Sequence, residues 1–190
     1  MRVLVGCEFS GVVREAFAAN GHDAWSCDLL PTEILGNHLQ CDLLSVLDKN
    51  WDLAIFHPPC THLASSGAAW FKNKKAEQAA AVDFVLALAS APIPRIAIEN
   101  PIGVLSTKWR KPDQIIHPWM FGHHEQKATC LWLKNLPQLR PTKDVWREMI
   151  LYLPKKYRER LHYLPPSDTR WADRSRTYKG IATAMAEQWS

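Results

Sequence analysis

The chain has 190 residues, 47% of them hydrophobic, and a formal net charge of +4, which suits one domain with a small appendage. No run approaches the roughly eighteen apolar residues that a membrane span needs, and the apolar stretch before Glu8 is too short for a signal peptide. Five cysteines, odd in number and without a CxxC pair, argue against a disulfide framework or a structural zinc site and point to a reducing cytoplasm.

Residues 2–5 read as a first strand. Residues 11–20 read as a helix with Val12, Val13, Ala16 and Phe17 on one stripe, Ser10 as its N-cap and Gly21 as its stop. A second strand is expected over 22–27, ending at Asp28. A short third strand, or its edge, is expected before Asp42. A fourth is expected over 52–56, an Ala-rich helix over 75–90, and a fifth strand over 95–98 between Pro94 and Pro101. This alternation predicts an α/β fold with a doubly wound, mostly parallel sheet. The runs 114–121 and 128–133 flank a polar turn and predict an antiparallel hairpin at the sheet edge. Residues 136–176 are rich in Pro, Arg and aromatics, with one helical stretch over 145–152. A last helix is expected over 178–189. The chain thus divides into a body (1–135), a small basic segment (136–176) and a terminal helix (177–190). Residues 134–179 carry twelve Lys and Arg against five Asp and Glu, which suggests an anionic partner, nucleic acid first.

Three places carry chemistry. The turn Gly6-Cys7-Glu8-Phe9-Ser10-Gly11 lies between strand and helix, where small residues admit a ligand to the backbone. It is not GxGxxG, so a nucleoside cofactor without phosphate, such as S-adenosylmethionine, fits better than a dinucleotide. Asp28 and Asp42, at the ends of the next two strands, suit ribose hydroxyls and an adenine amino group. His57-Pro58-Pro59-Cys60 follows an apolar strand. The prolines end that strand in a rigid turn, and the small polar residues after it, among them Ser65 and Ser66, suit an exposed thiolate. Glu99 closes the next strand ahead of Asn100 and Pro101, where a raised pKa would make it a proton donor. His57, Cys60 and His62 show no standard metal-ligand spacing, so no metal is expected.

In that order, the segments VLVGCEFSG, CDLLP, CDLLS, HPPCTHLASSG and IENPIG resemble the motifs of the DNA (cytosine-5)-methyltransferases, and most of all their short phage or prophage members. The resemblance covers about residues 1–133 and the last helix. It implies a class I methyltransferase-like, Rossmann-like fold with S-adenosylmethionine as cofactor. The cofactor would meet Gly6 to Gly11, Asp28, Leu29, Asp42, Leu43, His57 and Pro59. Cys60 would attack carbon 6 of cytosine, with Glu99, Asn100 and Lys127 completing the catalytic group. DNA would lie along Ser65, Ser66, Arg170, Arg174 and Arg176. Three departures stand out. Glu99-Asn100 is followed by proline where the family has valine. The Gln-x-Arg-x-Arg segment is reduced to Gln126-Lys127-Ala128-Thr129, with Arg174 and Arg176 as substitutes. Only about forty residues stand where the family has a large target-recognition region. A homodimer or a partner subunit completing recognition, an RNA or nucleotide substrate, an exocyclic-amine methyltransferase and a non-catalytic nucleic-acid binder all remain open alternatives.

Overall fold

The computed structural model describes residues 1–65 and 74–190. Seven strands form one sheet: β1 (Arg2–Gly6), β2 (Asp23–Asp28), β3 (His38–Gln40), β4 (Leu53–Phe56), β5 (Arg95–Pro101), β6 (Gln114–Ile116) and β7 (Thr129–Lys134). Their order is β3-β2-β1-β4-β5-β7-β6. The first five are parallel, and β7 runs antiparallel between β5 and β6. The expected hairpin is therefore present, with its second strand inserted inward. The first half of that hairpin is shorter than its apolar run. Pro118 has no amide to give a ladder, and residues Pro118–Met120 turn as a 3-10 helix.

β4 is buried along its whole length, as a central parallel strand must be. Successive side chains alternate between two faces. Val3, Val5, Leu53 and Ile55 pack with Val13 and Phe17 of α1 (Val12–Ala19) and with Ile181 and Met185 of α7 (Lys179–Gln188). Leu4, Ala54, Phe56, Ile96 and Ile98 pack with Val85 and Leu88 of α2 (Lys75–Ala89). Among the described residues there are also four short α-helices: α3 (Leu105–Lys108), α4 (Trp146–Tyr152), α5 (Lys155–Arg158) and α6 (Arg170–Ser175). Among the described residues no helix is long and apolar enough to cross a membrane.

One local expectation is corrected. Ser10 is not the N-cap of α1; Gly11 is, with φ +74°. Glu8 takes the free amides instead, its carboxylate accepting from Val13 at 2.6 Å and Arg14 at 3.2 Å. The Ser10 hydroxyl reaches the Val12 amide only at 3.4 Å.

Candidate active site

The strand order reverses between β1 and β4, and ligands in open α/β sheets gather at such a point, beyond the carboxyl ends of the strands. Gly6 pairs with Phe56, and Phe56 with Ile98, so the chain leaves all three strands at one level. The next residues are the Cys7–Gly11 turn, the His57–Cys60 loop and Glu99-Asn100.

β5 holds the Pro-Pro loop through two neighbouring side chains. Asn100, 1% exposed, donates from Nδ2 to the Pro58 carbonyl at 2.8 Å. Glu99 Oε2 lies 3.1 Å from His57 Nδ1. The backbone of the loop is pinned as well, since the His57 amide donates to the Gly6 carbonyl at 2.9 Å. Cys60 then opens a turn, its carbonyl accepting from the amides of Leu63 and Ala64. Among the five cysteines, all of them free, Cys60 is the exposed one. Beyond the turn, Ala64 bridges Gly103, and the Ser65 amide and hydroxyl both donate to the Ile102 carbonyl, at 2.9 and 3.0 Å. A Cβ on Gly103 would lie 1.9 Å from the Leu63 carbonyl oxygen, so the close approach of the two loops requires glycine. Ser66 lies outside the described residues.

Two electrostatic expectations are corrected. Glu99 is not a raised acid. Burial alone would raise its carboxyl, but the His57 hydrogen bond, the Lys127 charge and Thr129 outweigh it and hold it below the ordinary value. Glu99 is thus an ionised acceptor at neutral pH. Cys60 is not a ready thiolate. Its residue is exposed, yet its sulfur is hemmed in, and desolvation with the nearby Glu99 charge pushes the thiol up against the opposing pull of Lys127 and Arg174.

Lys127 donates from Nζ to the Arg174 carbonyl at 3.1 Å and so bridges the polar turn to α6. Arg174 is exposed, with its charge felt at Cys60. Arg176 is already engaged, bidentate to Glu33 at 2.5 and 2.8 Å and to Asp173 at 2.7 Å; a phosphate contact there would have to replace those pairs. Arg170 Nε is buried without a partner among the described residues.

On the cofactor side, Gly6 leaves room that Leu43 fills: an added Cβ would meet a Leu43 methyl at 2.6 Å. Leu43 is thus buried beneath the turn. Cys7 sits half-buried at φ +56°, its thiol pushed up to about 12 by burial and by Asp28, Cys27 and Asp42. Glu8, Phe9 and Ser10 are all buried. Asp28 accepts from the Leu30 amide at 3.0 Å and Asp42 from the Leu44 amide at 2.9 Å, each through one oxygen. Leu29, beside Asp28, is 72% exposed. Pro59 is exposed next to Cys60.

These proximities chain together: Asp28 and Asp42 act on Cys7, His57 acts on Glu8, and Glu99, Lys127 and Arg174 act on Cys60. Sequence reasoning missed three contacts. Glu33 anchors Arg176 across 143 residues, which no local pattern announces. Trp171 lies 5.3 Å from the Phe9 ring and so covers the first turn. Arg14, 1% exposed, binds Ser26, Thr32 and the Ile34 carbonyl, fastening the loop after β2 to α1. A charged residue beside Val13, one turn before Phe17, was the available signal. Two grooves lie off this edge. One of about 380 Å³ runs between Trp109 and Trp132, and one of about 250 Å³ lies between His123 and Arg176.

No protein-family model matches the chain, and no curated protein matches it. Among solved structures it is similar to a protein assigned as a DNA modification methyltransferase, encoded within a prophage of E. coli, with 17% identity and a TM-score of 0.50, covering 82% of this chain and 56% of that one. It is also similar to a triple mutant of Spodoptera frugiperda DNMT2, with 13% identity and a TM-score of 0.46, covering 75% of this chain and 54% of that one. The chain spans little more than half the length of each. At such identities the likeness concerns architecture: strand order and solved-structure neighbour together give a class I methyltransferase-like, Rossmann-like fold.

Proposed function

We propose that this chain is an S-adenosylmethionine-dependent methyltransferase that methylates carbon 5 of cytosine in DNA through a covalent Cys60 adduct. The observation that carries the reading is the convergence of Cys60 and Glu99 at neighbouring strand ends, with Asn100 bonded to the backbone between the two prolines. Carbon 5 is a weak nucleophile until addition at carbon 6 breaks the ring's conjugation. A cysteine presented by a rigid loop at the site edge is what that addition needs. Glu99, ionised, accepts from the exocyclic amine and orients the ring. Lys127 and Arg174 favour the thiolate as the base enters and excludes water.

The chain's own residues fit a phosphate-free nucleoside cofactor. The Glu8 carboxylate already occupies amides at the α1 N-terminus that a phosphate would use. Asp28 retains an oxygen for ribose hydroxyls and Asp42 one for an adenine amine, and exposed Leu29 offers an apolar face. When bound, S-adenosylmethionine supplies the methyl group as a sulfonium electrophile. Residues 1–135 and the terminal helix 177–190 form the catalytic body in this reading, and 136–176 the nucleic-acid-facing cap. Tyr152, Tyr157 and Tyr163 there are 72%, 64% and 46% exposed, among Lys155, Lys156 and Arg158, which suits stacking and phosphate contacts. A base inside a duplex would have to be flipped out to reach Cys60.

The test is methyl transfer from labelled S-adenosylmethionine to cytosine-containing DNA, with products separated. The expected product is 5-methylcytosine, lost by at least about 10³-fold in Cys60→Ser. An N-methylated base, or equal transfer by Cys60→Ser, would overturn the reading. RNA run alongside assigns the substrate.

A further inference from the structure

The proposed function leaves ring nitrogen 3 without a local proton donor, because the Cys60 thiol sheds its own proton before the sulfur attacks. Addition of Cys60 to carbon 6 pushes electrons onto ring nitrogen 3, which must be protonated. Glu99 is the group placed to deliver that proton, yet its surroundings keep it ionised. His57 stands directly behind it, with Nδ1 3.1 Å from Glu99 Oε2.

We propose that His57 holds the proton that nitrogen 3 receives, and passes it through the Glu99 carboxylate. This inference rests on the reading of Cys60 and Glu99 above. His57 acts through Glu99, so it is a positioning and proton-holding residue and not a catalytic one. The atoms balance as follows. The Cys60 thiol gives its proton to water and the thiolate sulfur forms its bond to carbon 6. The carbon 5–carbon 6 π pair becomes a carbon 4–carbon 5 double bond and the carbon 4–nitrogen 3 π pair goes to nitrogen 3. The His57 Nδ1 proton passes to the Glu99 carboxylate, which hands a proton to nitrogen 3, leaving a neutral imidazole. When carbon 5 bonds to the methyl carbon, the carbon 4–nitrogen 3 double bond re-forms and the proton returns along the same path. Water then takes the carbon 5 proton. The electron pair left behind re-forms the carbon 5–carbon 6 double bond and expels the Cys60 thiolate. The thiolate regains a proton from water, and the pair ends as it began.

Three observations support a working pair over a structural one. The His57 side chain is 8% exposed, and its Nε2 is buried without a partner among the described residues. A histidine kept only for packing would have both nitrogens satisfied or apolar neighbours in their place, because an orphaned buried polar atom is destabilising. The Glu99 side chain keeps 18% exposure, an opening through which a ring can reach it. Finally, the groups around the pair come from separate elements and set its charge from both sides. Glu8, from the turn after β1, feels the His57 charge. Lys127 and Thr129 face Glu99 from the turn and strand of β7. Cys60 and, through it, Arg174 complete the ring of charges.

The experiment is the pH profile of kcat for wild type and His57→Gln, whose amide can still donate to Glu99 but carries no exchangeable charge. Wild type should lose activity on the alkaline side as His57 gives up its proton. His57→Gln should fall by about 10²-fold at neutral pH and lose that alkaline limb. Superimposable profiles with equal kcat would overturn the proposal. A second measurement is independent of turnover and of the variant's folding: the NMR titration of the His57 ring in wild type and in Glu99→Gln. The ring should lose its proton at lower pH once the carboxylate is gone, and an unchanged midpoint would overturn the pairing. Absence of methyl transfer and of any Cys60 adduct in wild type removes the function proposed above, and the NMR arm still decides the pair.

Discussion

Cys60 and Glu99 oppose each other before any substrate arrives. The carboxylate charge helps to keep the sulfur protonated, and Lys127 and Arg174 pull the other way. The reactivity of the thiol should therefore follow its neighbours with a definite sign. Glu99→Gln removes a negative charge and lowers the pH at which Cys60 is alkylated by iodoacetamide; Lys127→Met removes a positive one and raises it. Peptide mass spectrometry across a pH series reads both shifts. In wild type the midpoint should lie above the ordinary thiol range, and a midpoint below it would contradict the account. Cys7, with its thiol pushed up to about 12, should stay unmodified at pH values where Cys60 reacts. At this scale the residue types were legible in the sequence: a cysteine after two prolines and a Glu-Asn strand end. Their protonation was not. It depends on His57, Lys127, Thr129 and Arg174, which come from three different stretches of chain and meet only in the fold.

Among elements, α6 is the one whose seating matters most to the site. It touches the first turn through Trp171 on Phe9, the loop after β2 through Arg176 on Glu33, and the turn before β7 through the Arg174 carbonyl. The ion pair is more than a third exposed on both sides and contributes about 0–1 kcal/mol; an aromatic pair of this kind adds about 0.5–1.5 kcal/mol beyond its buried area. Trp171→Ala should therefore speed hydrogen exchange over 170–176 more than Arg176→Ala does. Equal effects would mean that the ion pair, not the ring, holds the helix. Glu33 titrates below the ordinary carboxylate value because of its Arg176 hydrogen bonds. The pair's contribution is thus present above the unfolded carboxylate pKa and is lost as pH falls through the lower folded one, so the protection of 170–176 relative to the intrinsic exchange rate at each pH should fall on acidification. The major strands and the helices α1, α2, α4 and α7 followed from apolar periodicity and from Gly and Pro punctuation. The helices of four to six residues did not, because so short a segment carries less than two turns of pattern and is held by packing. The cap of α1 was missed for a similar reason. A carboxylate three residues before the N-cap position serves there only because the left-handed Cys7 and Gly11 fold it back.

Across the whole molecule, the parallel sheet brings to one edge groups that lie as far apart as Cys7 and Arg174 in sequence. The basic excess of residues 134–179 lies in the segment that leads from β7 past that edge to α7. The doubly wound architecture, and with it the location of the site at the carboxyl ends of β1, β4 and β5, could be read from the order of strands and turns alone. The inward insertion of β7 could not, since a hairpin pattern is silent on which of its strands joins the sheet. The central claim is a covalent bond between Cys60 and a pyrimidine ring. Intact-mass spectrometry of the protein incubated with S-adenosylmethionine and DNA containing 5-fluorocytosine tests it most directly, because fluorine at carbon 5 cannot leave as the proton does. The account predicts a stable adduct carrying the oligonucleotide and one methyl group, mapped to Cys60 and absent in Cys60→Ser. Methyl transfer to ordinary cytosine with no adduct on the fluorinated DNA, or an adduct at another residue, would contradict it.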